Sequence, residues 1–73
     1  MLFIGLDVGT AGCKASLVDE KGNVVGFKYS EYSVLTPGEG YVEMDPNTVW
    51  RGVCEALSGV ACDDVAAIGI ATF

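Results

Sequence analysis

The sequence predicts an α/β fold in which three meandering strands, one helix and a fourth strand build a mixed sheet. Three observations carry that prediction. An apolar run, Leu2-Phe3-Ile4-Gly5-Leu6, ends in Asp7 and a turn of small residues, and a second strand-like run, Ala15-Ser16-Leu17-Val18-Asp19, follows. Gly22-Asn23 is a hairpin signal ahead of a third extended run. Asp45-Pro46 then opens a helical pattern that returns to a second apolar run, Val65-Ala66-Ala67-Ile68-Gly69-Ile70-Ala71.

In chain order, residues 2–7 form the first strand and residues 13–19 the second, antiparallel and joined by a tight turn. The polar stretch 19–23 turns the chain into a third strand over 24–32. From Phe27 onward that strand alternates, with Phe27, Tyr29 and Glu31 on one face and Lys28, Ser30 and Tyr32 on the other. Residues 36–40 hold Pro37, Gly38 and Gly40 and read as a loop, and residues 41–43 are a brief extended piece. The helix runs from Asp45, its N-cap, to about Ser58. Trp50, Val53, Cys54 and Leu57 share one face at helical spacing, widened by Val49, Ala56 and Val60. Trp50 is expected to be the anchor of helix on sheet, because a tryptophan buries so much area. The run at 65–71 has the composition of a fully buried strand. A crossover helix returning to such a run places it parallel to the first strand and beside it.

Composition narrows the functional classes. The chain has 73 residues, of which 51% are apolar, a rich share for so small a unit. A chain of this size buries only about 60% of its unfolded surface, so much of the apolar surface is expected to meet further chain. The sequence therefore reads as a piece of a longer chain. The net charge is −6, and Lys14, Lys21, Lys28 and Arg51 are the basic residues. Nucleic acid and anionic membrane both require clustered cations, so neither is expected as a partner. Cys13, Cys54 and Cys62 have neither zinc-site nor disulfide-framework spacing and read as free buried thiols of a reducing, cytoplasmic setting. No run is long enough to span a membrane, and the first apolar run is too short and lacks the basic start of a signal peptide.

The chemistry is expected at Asp7-Val8-Gly9-Thr10-Ala11-Gly12-Cys13-Lys14. Glycines such as Gly9 and Gly12 reach backbone angles closed to other residues and let a ligand approach the main chain. Thr10 adds a hydroxyl donor. Successive N–H groups of such a turn form a concavity suited to phosphate. Asp7, at the end of a strand read as buried, is a hard oxygen ligand suited to Mg²⁺, and a buried carboxylate needs a partner. Lys14 lies across the turn, within reach of the same anion. An Asp-x-Gly-Thr string by itself also fits a plain hairpin turn with the aspartate accepting backbone hydrogen bonds. The stretch is not a Walker phosphate loop, because the Gly-Lys-Ser/Thr ending is missing. It is not a dinucleotide fingerprint, because a strand follows the turn where that motif needs a helix.

Ile4-Gly5-Leu6-Asp7-Val8-Gly9-Thr10, with Lys14 and the strand to Asp19, resembles the first phosphate motif of the sugar kinase, actin and chaperone ATPase superfamily. Gly40-Tyr41-Val42-Glu43-Met44-Asp45-Pro46, followed by Trp50, resembles the Gly-Trp-x-Glu-x-(Asp)-Pro segment of the FGGY carbohydrate kinases, the family of xylulose, gluconate and glycerol kinases. The two signatures come in the family's order and cover essentially the whole chain. The resemblance implies a ribonuclease-H-like (actin-like ATPase) fold, of which residues 1–73 are the opening part of the first of two domains. It implies transfer of the γ-phosphoryl group of Mg·ATP to a sugar or polyol hydroxyl. It assigns Asp7 to the metal, Gly9, Thr10, Ala11 and Gly12 to the phosphate-facing turn, and Lys14 to the ATP phosphates. The catalytic base, adenosine pocket and second phosphate motif are expected downstream, so the 73 residues alone are expected to be inactive and to self-associate. A homodimer is left open for the whole enzyme. Two positions depart from the pattern: Ala11 replaces a common Thr or Ser, and Ala71-Thr72-Phe73 stands where relatives often run Ser-x-Gln. Another actin-like ATPase, such as an acyl-CoA dehydratase activator or a chaperone, shares the first signature but not the second. A non-catalytic binding or assembly module is the reading from a different class.

Overall fold

The structure, a computed structural model, describes residues 1–32 and 45–72. The expected loop at 36–40, the brief strand at 41–43 and Phe73 lie outside the described residues, as does most of the second signature. The elements are β1 (Leu2–Val8), β2 (Gly12–Asp19), β3 (Val24–Glu31), α1 (Pro46–Val60) and β4 (Val65–Thr72). They form one four-stranded sheet in the order β3-β2-β1-β4. β2 pairs antiparallel with both β1 and β3, and β4 pairs parallel with β1. The sheet is therefore mixed, as the order of elements predicts.

Local chemistry explains the joints. Asp19 Oδ1 accepts from the amides of Lys21 and Asn23, both at 2.9 Å, which folds the chain back after β2. Gly22 sits there at φ 85°, a conformation that an L side chain rarely adopts. Asp45 caps α1 by accepting from Asn47 N at 2.9 Å, with Pro46 in the first turn where its missing N–H costs nothing. The helix closes with Ala61 N donating to Leu57 O at 2.8 Å, a little beyond the expected end.

The core is one-sided. Ile4, Leu6 and Val8 of β1 and Cys13 and Ala15 of β2 meet Ala56 and Val60 of α1, with Leu17, Val49, Val53 and Leu57 at its margin. The helix lies over β2 and β3, on the face that carries Lys28, Ser30 and Tyr32. Phe27 and Tyr29 point to the open face and are exposed.

Four expectations are corrected here. Trp50 is 64% exposed and is not the anchor of α1. The seated stripe is Gly52, Ala56 and Val60, small residues that let the helix approach the sheet closely. The strand read as fully buried, β4, is exposed along nearly its whole length, because no described element covers it. Asp7 is likewise exposed rather than buried, since it lies on the face away from α1. Of the three free thiols Cys13 is buried, whereas Cys54 and Cys62 are exposed. Because Trp50 touches so little, Trp50→Ala is expected to change the stability of the 73-residue chain by less than about 0.5 kcal/mol in a urea titration. A loss above about 2 kcal/mol would restore its role as an anchor.

Candidate functional site

β1 alternates, burying Ile4, Leu6 and Val8 and turning Phe3, Gly5 and Asp7 to the other face. Register places Asp7 opposite Lys14 on β2 and opposite Ala71 on β4. Asp7, Lys14, Ser16, Gly5, Gly69 and Ala71 line a shallow trough on the open face of the sheet. Gly5 and Gly69 are register partners, and nothing stands within 4 Å of where their Cβ atoms would be, so the floor of the trough is bare backbone. Asp7 and Lys14 are not joined in an ion pair; among the described residues the ion pairs are Met1 with Glu20 and Asp64, and Lys28 with Glu55. The carboxylate and the ammonium group both face solvent, each open to a ligand.

The turn at residues 9–12 follows directly. Three of its four carbonyl oxygens are used internally. Gly12 O accepts from Gly9 N at 2.9 Å, and Ala11 O from Tyr32 N at 3.1 Å. Gly9 O accepts from the Tyr32 hydroxyl. The amides of Thr10 and Ala11 have no acceptor among the described residues, and both residues are exposed. The turn thus spends most of its acceptors inward and keeps two donors for solvent or a ligand. Its glycines do not act as expected, because neither Gly9 nor Gly12 has a positive φ. Gly12 is required by close approach instead: a Cβ there would stand 2.3 Å from Tyr29 Oη and 2.8 Å from Ser30 O.

The structure therefore gathers all six expected residues, Asp7, Gly9, Thr10, Ala11, Gly12 and Lys14, at one end of β1 and β2. Two contributors, Tyr29 over Gly12 and Tyr32 behind Gly9, were missed in the sequence. Their signal was the alternation of β3, which becomes informative only once β3 is registered on β2. Burial pushes the Tyr32 phenol up from its ordinary value, helped by Cys13, Tyr29 and Asp7, so it is a neutral donor at physiological pH. Burial likewise pushes the Cys13 thiol up, and the nearby Asp7 charge adds to it, which leaves Cys13 a packing residue. No group of three or more His, Cys, Asp or Glu side chains that could cage a metal occurs among the described residues.

A mixed sheet opening with two antiparallel hairpins, crossed by one helix to a parallel fourth strand, is the start of an actin-like domain of the carbohydrate-kinase type. Residues 2–73 match the N-terminal domain of the FGGY family of carbohydrate kinases, and the chain belongs to that family. It is 37% identical over 71 residues to a glycerol kinase of Gloeobacter violaceus, covering 93% of this chain and 14% of that protein. It is 38% identical over 73 residues to glycerol kinase 2 of Thermotoga maritima, covering 92% of this chain and 15% of that one. Among solved structures, a xylulose kinase from Brucella ovis superposes with a TM-score of 0.93 at 31% identity, over 99% of this chain and 16% of its own. A gluconate kinase from Lactobacillus acidophilus gives 0.86 at 30% identity, over 97% of this chain and 15% of its own. The chain thus spans about one-seventh of the length of the proteins it matches. Among the described residues no helix is long and apolar enough to cross a membrane.

Proposed function

We propose that residues 1–73 are the N-terminal part of the first domain of a cytoplasmic kinase that transfers the γ-phosphoryl group of Mg·ATP to a hydroxyl of a sugar or polyol. The observation that carries this reading is the turn at 9–12. Three of its four carbonyls accept hydrogen bonds within the fold, its Thr10 and Ala11 amides have no acceptor among the described residues, and Asp7 and Lys14 flank it without neutralising each other. Amides and an ammonium group suit phosphate oxygens. One exposed carboxylate without a protein partner suits Mg²⁺, which keeps most of its waters and takes its remaining ligands from the phosphates. The ion, when bound, supplies charge neutralisation on the phosphate oxygens.

The division of labour follows. The turn at 9–12 orients the phosphates through its amides and the Thr10 hydroxyl, Lys14 balances their charge, and Asp7 would hold the metal, which would supply charge neutralisation. Phosphoryl transfer needs little more than such positioning and charge balance from this end of the site. The acceptor is bound elsewhere: glycerol, xylulose and gluconate kinases all match this segment at similar identity. This supports placing the choice of sugar outside it.

The test is steady-state kinetics on the full-length kinase carrying this segment, with ATP and sugar varied separately. Lys14→Ala is expected to raise KM for ATP about tenfold while changing kcat less, because the ammonium group meets phosphate in the ground state as well as in the transition state. Unchanged KM for ATP would remove Lys14 from the phosphate site.

A further inference from the structure

We propose that Tyr32 is a positioning residue for phosphoryl transfer: it holds the turn at 9–12 in the shape that presents its amides to the nucleotide phosphates, and Gly52 of α1 is the seat that allows it. This inference rests on the phosphate-turn reading above.

Tyr32 grips the turn at two points. Its backbone N–H donates to Ala11 O at 3.1 Å, and its hydroxyl donates to Gly9 O. One residue, 23 positions away from Gly9 in the chain, therefore spans the turn from main chain to phenol tip. The consequence is geometric. In a trans peptide the C=O of one residue and the N–H of the next point in opposite directions, and no cis peptide bond occurs among the described residues. Holding Gly9 O toward the Tyr32 hydroxyl sends the Thr10 N–H the other way, out of the fold, and that N–H has no acceptor among the described residues.

The ring is itself fixed. Tyr32 is 7% exposed and lies against α1 where Gly52 leaves room for it. A Cβ on Gly52 would stand 2.7 Å from Tyr32 Cδ2 and 3.1 Å from Cε2. Burial keeps the phenol protonated, so it remains a donor throughout the physiological range. The helix thus reaches the turn through one aromatic ring. A preorganised donor of this kind lowers the cost of ordering the turn when the anion arrives.

The experiment uses the full-length kinase and two variants. Tyr32→Phe keeps the ring on Gly52 and removes only the hydroxyl. Gly52→Ala keeps the hydroxyl and pushes the ring off its seat. Each is expected to raise KM for ATP about five- to tenfold, the cost of one lost hydrogen bond to a partly buried carbonyl, with KM for the sugar unchanged. The double variant is expected to be little worse than either single one, because both break the same contact. Amide hydrogen exchange in the peptide covering residues 9–13 is expected to be faster in Tyr32→Phe without nucleotide, and protection by ATP weaker. Two results overturn the proposal. One is unchanged ATP kinetics and exchange in Tyr32→Phe while Lys14→Ala still raises KM for ATP. The other is a parallel rise in both substrate constants with lowered thermal stability, the signature of a purely structural residue. If Tyr32→Phe, Lys14→Ala and Asp7→Asn all leave ATP kinetics untouched, the phosphate-turn reading itself fails, and the proposal with it.

Discussion

Asp7→Asn in the full-length kinase carrying this segment is expected to lower kcat by at least about 10²–10³-fold and to leave sugar binding nearly unchanged. The amide keeps the size of the side chain and can still accept a hydrogen bond, but it loses the charge that would hold Mg²⁺ and its waters under the proposed function. That charge matters most as negative charge develops on the group in transfer, so the loss falls on the transition state. The structure makes the substitution a clean one. Asp7 is exposed, lies on the open face of the sheet, and faces Lys14 and Ala71 across the register without an ion pair. Replacing it should move unfolding free energy by no more than about 0.5 kcal/mol, so lost activity cannot be charged to lost fold. Kinetics at saturating Mg·ATP, with thermal unfolding in parallel, check both halves. Near-normal kcat would reduce Asp7 to a turn-stabilising residue.

The order of elements was legible because each joint carries its own chemistry. Asp19 and Gly22 build the second hairpin turn, and Asp45 with Pro46 starts the helix, without help from distant residues. The parallel placement of β4 followed from the crossover rule. The phase of the helix was legible only in part: Val49, Val53, Ala56, Leu57 and Val60 pack on the core as the pattern predicts, whereas Trp50 and Cys54 are exposed. Apolar residues in α1 fit two stripes, one through Trp50 and Cys54, the other through Gly52, Ala56 and Val60. Size favours the first stripe, yet the second wins because Tyr32 and Lys28 occupy the space directly above Gly52 and Gly59. That is a tertiary fact, and it depends on how β3 registers on β2.

The site divides in the same way. Asp7 and Lys14 could be placed together from the sequence, since a tight turn between two antiparallel strands pairs residues symmetrically about it. The glycines were picked for a backbone freedom that the structure does not show: Gly12 is small to admit Tyr29, not to adopt an unusual angle. Tyr32 was invisible as a site residue because its partners come from a turn more than twenty positions away. Asp7 was misjudged because it lies on the sheet face away from α1, and β4 because no described element covers it. An apolar run reports what a strand can bury, and α1 covers only the β2–β3 side of the sheet.

That one-sided cover governs what the 73 residues do by themselves. They are expected to phosphorylate no sugar, to bind Mg·ATP weakly or not at all, and to self-associate. One phosphate turn offers two amides, a lysine and a carboxylate, and these cannot offset the cost of association and ordering without a pocket for the adenosine. A calorimetric titration giving a low-micromolar constant would contradict this. Self-association follows from β4. It is an edge strand of the sheet, and between Val65 and Thr72 it carries no charge and no proline, the features that normally blunt an edge. Ile68 and Ile70 stand 49% and 67% exposed on it, and Phe27 on the opposite edge strand is 59% exposed. Edge pairing satisfies the open backbone groups and covers the isoleucines at the same time, so both driving forces act in one direction. Light scattering over a concentration series is expected to show a mass that grows with concentration. Ile70→Lys is expected to shift that series toward the monomer, since a cation on an edge opposes pairing. A clean monomer for the unsubstituted chain at high concentration would show that the bare edge of β4 is not sufficient to recruit a second copy.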